Sequence, residues 1–227
     1  MSIIQISGSS AAIGAIVAVI LFSLPAYIGT IKQTGLFRGL AIIFSLSIFA
    51  LAFQTAATKT GLPFGRFNYG DGLGYKFIGT TPWVVAIIYP PILLGAFWLA
   101  RKISSGFLSV IFTAIFAVIV DVALDPAMVK LTFWQWDAPG PFFGVPIMNF
   151  VGWAISGFIG ALILKALWGE PKVKRLTAYS LFAILVFWSG VNLGVAQWIP
   201  AFTGLAFSTL LFVMFIIERR RQLSENE

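Results

Sequence analysis

Apolar residues run along this chain in long blocks separated by short polar intervals. Blocks at about 11–29, 39–57, 82–100, 106–124, 146–168, 176–194 and 199–218 carry almost no charge. Each reaches the roughly 18 apolar residues that a helix needs to cross a bilayer. The pattern predicts an all-α integral membrane protein: a single transmembrane helical domain over residues 1–227, one bundle of about seven spans. Two intervals break the pattern most, 58–81 and 125–145, where Gly, Pro and aromatic residues collect. The link between the last two spans, "GVAQWIP", is very short.

Composition sharpens this reading. The chain is 59% hydrophobic and 10% charged, where a soluble domain carries about a quarter charged residues. It has no cysteine and no histidine, which excludes disulfides, thiolate nucleophiles, the usual zinc sites and imidazole acid–base chemistry. The net charge of +7 sits in short clusters between apolar runs. That is how topology signals are distributed, and it argues against nucleic-acid binding. Eleven of the fifteen Lys and Arg fall in the 1–2, 3–4 and 5–6 connections and the tail, against Lys59, Arg66, Lys76 and Lys130 on the other side. The N-terminus is therefore expected outside and the C-terminus in the cytoplasm, in a multi-pass protein of the cell (cytoplasmic) membrane. No basic region precedes the first run, so it reads as a retained helix and not a cleaved signal.

In that topology Asp71, Asp121, Asp125 and Asp137 lie outside or in the outer half, and Glu170, Glu218, Glu225 and Glu227 lie on the cytoplasmic side. Gln54, Tyr89, Asn149 and Asn192 fall in the outer thirds of their spans, where polar groups usually face a bundle interior or a wet cavity. A helix end tolerates Gln54 without further explanation; Tyr89 and Asn149 begin a turn or more inside. "VDVALDPAM" sets Asp121 and Asp125 four apart, on one helix face, with Pro126 expected to fray the helix at Asp125. A carboxylic acid kept neutral at ordinary pH can donate a proton. A D-x-x-x-D pair also resembles the magnesium-binding carboxylates of membrane prenyltransferases. Those need a second acidic cluster and basic partners, and the remaining Asp71 and Asp137 are isolated.

"GLPFGRFNYGDGLGYKFIGTTPW", Gly61 to Trp83, has too much glycine for a regular helix and no phosphate-cradling pattern. It reads as an outer re-entrant loop over the bundle. Below it, Tyr89-Pro90-Pro91 should kink the third span and free carbonyls that need partners. "FWQWDAPGPFFGVPIMNFVGW", Phe133 to Trp153, gathers Trp134, Trp136 and Trp153 around Asp137 and Asn149. Each tryptophan alone is explained by an interfacial belt; together with the polar pair they suit a pocket wall, and aromatic faces stabilise cations.

The blocks "GLPFGRFNY", "DVALDPAM" and, above all, W-x-W followed by "GPFFGVPIMNFVGW" resemble the membrane carotenoid-biosynthesis family that includes bisanhydrobacterioruberin hydratase and gamma-carotene 1',2'-hydratase. The resemblance runs from about span two to span six, with the motifs in matching order. It implies addition of water across the terminal double bond of an acyclic psi end group, giving a tertiary alcohol. The residues present suit that reaction without metal, thiol or redox cofactor. Asp121 is expected as the general acid, Asp125 or Asp137 as its proton partner or water base, and Asn149 as the water orienter. Trp134, Trp136, Tyr69 and Phe67 would shield the cation, and Phe64, Arg66, Asn68, Tyr89, Phe143, Trp153 and Asn192 complete the expected substrate-binding set. The partners expected are a lipophilic polyene, water and membrane lipid; the sequence leaves the oligomeric state open.

Two other readings stay open at this level. A proton-initiated carotenoid cyclase or isomerase shares the acid and the aromatic shield but must keep water from the cation. A non-catalytic carotenoid-binding membrane protein needs only the slot. A retinal photoreceptor fits poorly, because 199–218 contains no lysine.

Overall fold

In the computed structural model, residues 8–169 and 173–224 are described; Glu170, Lys172, Glu225, Glu227 and the first seven residues lie outside them. Seven helices dominate: α1 (Gly8–Thr34), α2 (Leu36–Thr60), α3 (Val85–Ile103), α4 (Gly106–Lys130), α5 (Ile147–Trp168), α6 (Tyr179–Gly194) and α7 (Trp198–Ser224). All seven are long and apolar enough to cross a membrane, so the chain is a multi-pass membrane protein. α3 and α4 are central: α3 packs on α1, α2, α4, α5 and α6, and α4 on α3, α5, α6 and α7. Every residue of α3 from Tyr89 to Ala100 is buried. A helix apolar on all sides belongs in the middle of a bundle.

α1, α2, α4 and α7 outrun their apolar blocks because a helix continues into water as long as its backbone bonds are made. α7 runs through Arg219, Arg220 and Arg221 to Ser224, and α2 closes at Gly61, whose φ of 79° gives the left-handed cap that glycine adopts freely. At the opposite end, Arg38 donates to the carbonyls of Leu167 and Trp168 at 2.9 and 3.3 Å and so caps α5.

Prolines inside α3 cost less than their type suggests. Pro90 and Pro91 have no N–H for the carbonyls of Ala86 and Ile87, and an interior proline costs about 3 kcal/mol, part of it the lost bond. Here hydroxyls of neighbouring helices supply donors. Ser47 Oγ of α2 donates to Ala86 O at 2.7 Å, and from α1 Tyr27 Oη and Ser23 Oγ donate to Ile87 O at 2.7 and 3.1 Å. The partners expected for the freed carbonyls are thus side chains on α1 and α2.

The expected fraying at Pro126 does not occur: α4 continues to Lys130 with Asp125 and Pro126 inside it. The residues from Ala123 to Ala127 are all buried, and packing holds the backbone helical there. Asn192 of α6 reinforces it, its Nδ2 donating to Ala123 O at 2.7 Å, beside the carbonyl that Pro126 leaves unbonded, and to Trp188 O at 2.8 Å.

The two irregular intervals join each other. Strand β1 (Phe67–Tyr69) pairs antiparallel with β4 (Trp134–Trp136), in register Phe67 to Trp136, Asn68 to Gln135 and Tyr69 to Trp134. A second small pair, β2 (Lys76–Phe77) and β3 (Thr81–Pro82), sits in the same interval as β1. The first interval, expected as a re-entrant loop, is therefore built from a 3-10 turn at Asp71–Leu73 and short strands. Asp137 N donates to Arg66 O at 3.0 Å and Gly70 N to Phe133 O at 2.8 Å, extending the β1–β4 ribbon at both ends. Trp136 Nε1 donates to Phe64 O at 2.9 Å and ties the ribbon to the loop below it.

Candidate active site

The ribbon decides which aromatics reach the bundle. Successive residues of a strand point to opposite faces, and here Phe67 and Trp136 are buried and Tyr69 and Trp134 half-buried, while Asn68, Gln135 and Asp137 are exposed. The inward rings form a continuous floor: Phe67 lies 5.2 Å from Tyr69 and 5.9 Å from Trp136, and Tyr69 lies 5.8 Å from Trp134, centroid to centroid. Phe64 joins this set edge-on to Phe67 at 6.3 Å. It fits because Gly152 of α5 has no side chain; a Cβ there would collide with the Phe64 ring. Tyr89 packs on Trp153 at 5.9 Å from the α3 side.

Beneath this floor Asp121, Asp125 and Asn149 meet. All three are buried, at 0%, 2% and 2% exposure. Asn149 Nδ2 donates to Asp121 Oδ2 and to Asp125 Oδ2, both at 2.7 Å. The four-residue spacing stacks the carboxyl groups within hydrogen-bonding reach of one another, and the Trp153 indole lies beside Asp121. Each carboxyl group keeps its second oxygen, Oδ1, without a protein partner among the described residues. Buried oxygens of this kind call for an explanation, such as a reacting proton or a bound water.

One cavity reaches this cluster, and a second adjoins the first. The smaller, about 40 Å³, is lined by Asp125 and Asn149 together with Gln54, Phe64, Phe67, Tyr69, Trp134, Trp136 and Trp153. It exceeds the roughly 10–15 Å³ that one water needs. The larger, about 110 Å³, is almost entirely apolar and runs between α1, α3, α4 and α6, with Ala18, Val19, Phe22, Ile88, Ile92, Leu124, Met128 and Trp188 among its walls. Gln54, Tyr69, Trp134 and Trp153 line both. Burial, with a smaller contribution from the Asp125 charge, holds the Tyr69 phenol well above its ordinary pKa, so it is a neutral donor at this junction. It donates to Gln54 Oε1 at 3.3 Å.

The structure thus brings Asp121, Asp125, Asn149, Phe64, Phe67, Tyr69, Tyr89, Trp134, Trp136 and Trp153 to one place. It does not bring the rest. Asp137 stands on the outer side of the ribbon, bonded to Asn68 Nδ2 at 3.1 Å. Arg66 is exposed, Phe143 is exposed and edge-on to Phe142, and Asn192 spends its amide on carbonyls of α4 and α6. Asn149, which also lines the small cavity, commits its amide nitrogen to the two carboxylates. The sequence reading left Gln54 out of the site, although as the sole amide of α2 it carried a signal. The apolar wall residues of α1 and α6 carried none. Among the described residues no third acidic or histidine side chain joins the pair to make a metal-holding group.

Comparison with known proteins gives this geometry a context. The profile of a family described as "carotenoid biosynthesis protein" matches residues 11–211. A relative from Haloarcula japonica named bisanhydrobacterioruberin hydratase is 28% identical over 173 residues, covering 71% of this chain and 58% of the relative. This chain therefore spans less than two thirds of that relative's length. No solved structure matches.

Proposed function

This chain belongs to the carotenoid biosynthesis protein family, and from that membership we propose that it is a hydratase. It adds water to the terminal C=C of an acyclic psi end group and yields a tertiary alcohol. One observation carries the proposal: a buried aspartate pair reaches, through Asp125, a water-sized cavity that shares its aromatic walls with an apolar slot.

The slot takes the polyene end, bringing the isopropylidene group to the junction at Tyr69, Trp134 and Trp153. The pair holds a proton between its two carboxyl groups. Asp125, the member that lines the cavity, gives that proton to the less substituted carbon of the double bond, and Asp121 behind it shares the resulting charge. The tertiary cation forms against the faces of the surrounding rings, which stabilise positive charge. Water then attacks the cationic carbon, the C–O bond forms, and the proton it sheds returns to the Asp125 carboxylate. Proton in and proton out balance, so the reaction needs only the alkene and water. Asn149 holds the two carboxyl groups in register and acts as a positioning residue. In the cell membrane, with the basic end in the cytoplasm, the ribbon end faces outward and meets water without crossing the bilayer.

The test is expression in a bacterium that makes lycopene or gamma-carotene, grown in oxygen-18 water. The expected result is pigment heavier by one labelled water per hydrated end. A cyclised product of unchanged mass would instead identify a cyclase, and unaltered pigment with several psi-ended substrates would leave a carotenoid-binding protein without turnover.

A further inference from the structure

Building on the hydratase reading, we propose that Gln54 is the residue that seats the attacking water, and that it thereby decides whether the cation is captured as an alcohol or reverts to an alkene. Asn149 cannot present its amide nitrogen to water, because both carboxylates take it at 2.7 Å. Gln54 is placed to do so. It lies within α2, is 8% exposed, and lines both the small polar cavity and the apolar slot. The Tyr69 hydroxyl donates to its Oε1 at 3.3 Å, which fixes the amide and leaves Nε2 with no acceptor among the described residues. An amide so held has two N–H donors available to a water at the boundary between the cavities. Held by one amide hydrogen, the water keeps its second lone pair for the cationic carbon and passes its proton to Asp125.

Without that seat, the same cation has a balanced exit that needs neither water nor a second double bond. It loses a proton from the carbon just protonated, or from a neighbouring methyl group, to the Asp125 carboxylate. The double bond re-forms, and no oxygen is added. In deuterium oxide this exit writes a deuteron into unhydrated carotenoid.

The experiment compares wild type, Gln54→Met and Tyr69→Phe in membranes supplied with a psi-ended carotenoid in deuterium oxide. Mass spectrometry reads hydrated and deuterated unhydrated pigment separately. Gln54→Met should lower the ratio of hydrate to deuterated alkene at least ten-fold, and Tyr69→Phe, which only frees the amide to turn, should lower it by less. If both products fall together at a constant ratio in the variants, the effect is structural and the assignment to Gln54 is wrong. If Gln54→Met does not accumulate in the membrane, the ratio in Tyr69→Phe decides on the same terms. Wild type that yields neither hydrate nor deuterated alkene overturns the hydratase reading itself and takes this inference with it.

Discussion

Two sets of aspartate and asparagine side chains stand at the same end of the bundle, and their surroundings separate them. Asp121 and Asp125 share the amide of Asn149 in the interior; Asp137 meets Asn68 on the exposed side of the ribbon. The chemistry is the same and the periodicity is not. On α4 a spacing of four returns both carboxyl groups to the face that meets α5. On the ribbon a spacing of one is enough to reverse direction, so Trp136 enters the core and Asp137 leaves it. Whether a carboxylate reaches the buried cluster is here decided by local geometry and not by its distance along the chain.

The sharpest way to test the contrast is to remove each carboxyl group in turn. Asp125→Asn and Asp121→Asn should each lower hydrated product at least about 100-fold, the equivalent of roughly 2.7 kcal/mol of transition-state stabilisation, with the protein still present in the membrane. Product from Asp125→Asn near the wild-type level would shift the acid elsewhere. Asn149→Leu comes next. It strands two buried oxygens whose lost amide bonds are worth about 1–3 kcal/mol, and so should lower both activity and the melting temperature in detergent. A variant with reduced activity and an unchanged melting temperature would mean that the amide acts on the reaction and not on the pair.

On the exposed side the effects should be small. Asp137→Asn should keep activity within about two-fold, since exposed polar pairs are worth about 0–1 kcal/mol; a large loss would return Asp137 to the mechanism. The smallest effect is expected at Asp71, where the hydrogen bond and charge of Lys76 hold the carboxyl below its ordinary pKa. A lowered folded-state value stabilises above the unfolded pKa and is lost as pH falls through the folded one. Lys76→Met should therefore lower the melting temperature slightly at neutral pH and make progressively less difference below about pH 4, where the wild type has itself lost that contribution.

Seven spans were readable from apolar run length because a bilayer imposes that length. The aspartate pair was readable because i, i+4 spacing is a local property. What escaped the sequence was set by pairing at a distance. That β1 meets β4 depends on residues more than sixty positions apart closing on each other, and this register turns Asp137 outward. Pro126 misled for a related reason: its local preference is to break a helix, but burial from Ala123 to Ala127 and the Asn192 amide from α6 outweigh it. Gln54 was visible as a polar residue in a span, yet its reach into the site depends on Tyr69 arriving from the ribbon.

The hydroxyl contacts at the prolines of α3 have a mechanical meaning for the slot. Ser23 and Tyr27 both grip Ile87 O, one residue from Ile88, while Val19 and Phe22 on the same stretch of α1 form the facing wall. The gap between α1 and α3 is thus gauged by hydrogen bonds at its base and does not rely on the guest to prop it open. On the proposed function, a rod-shaped pigment would meet a slot of set width, and chain thickness would become a criterion of admission before any bond is made or broken.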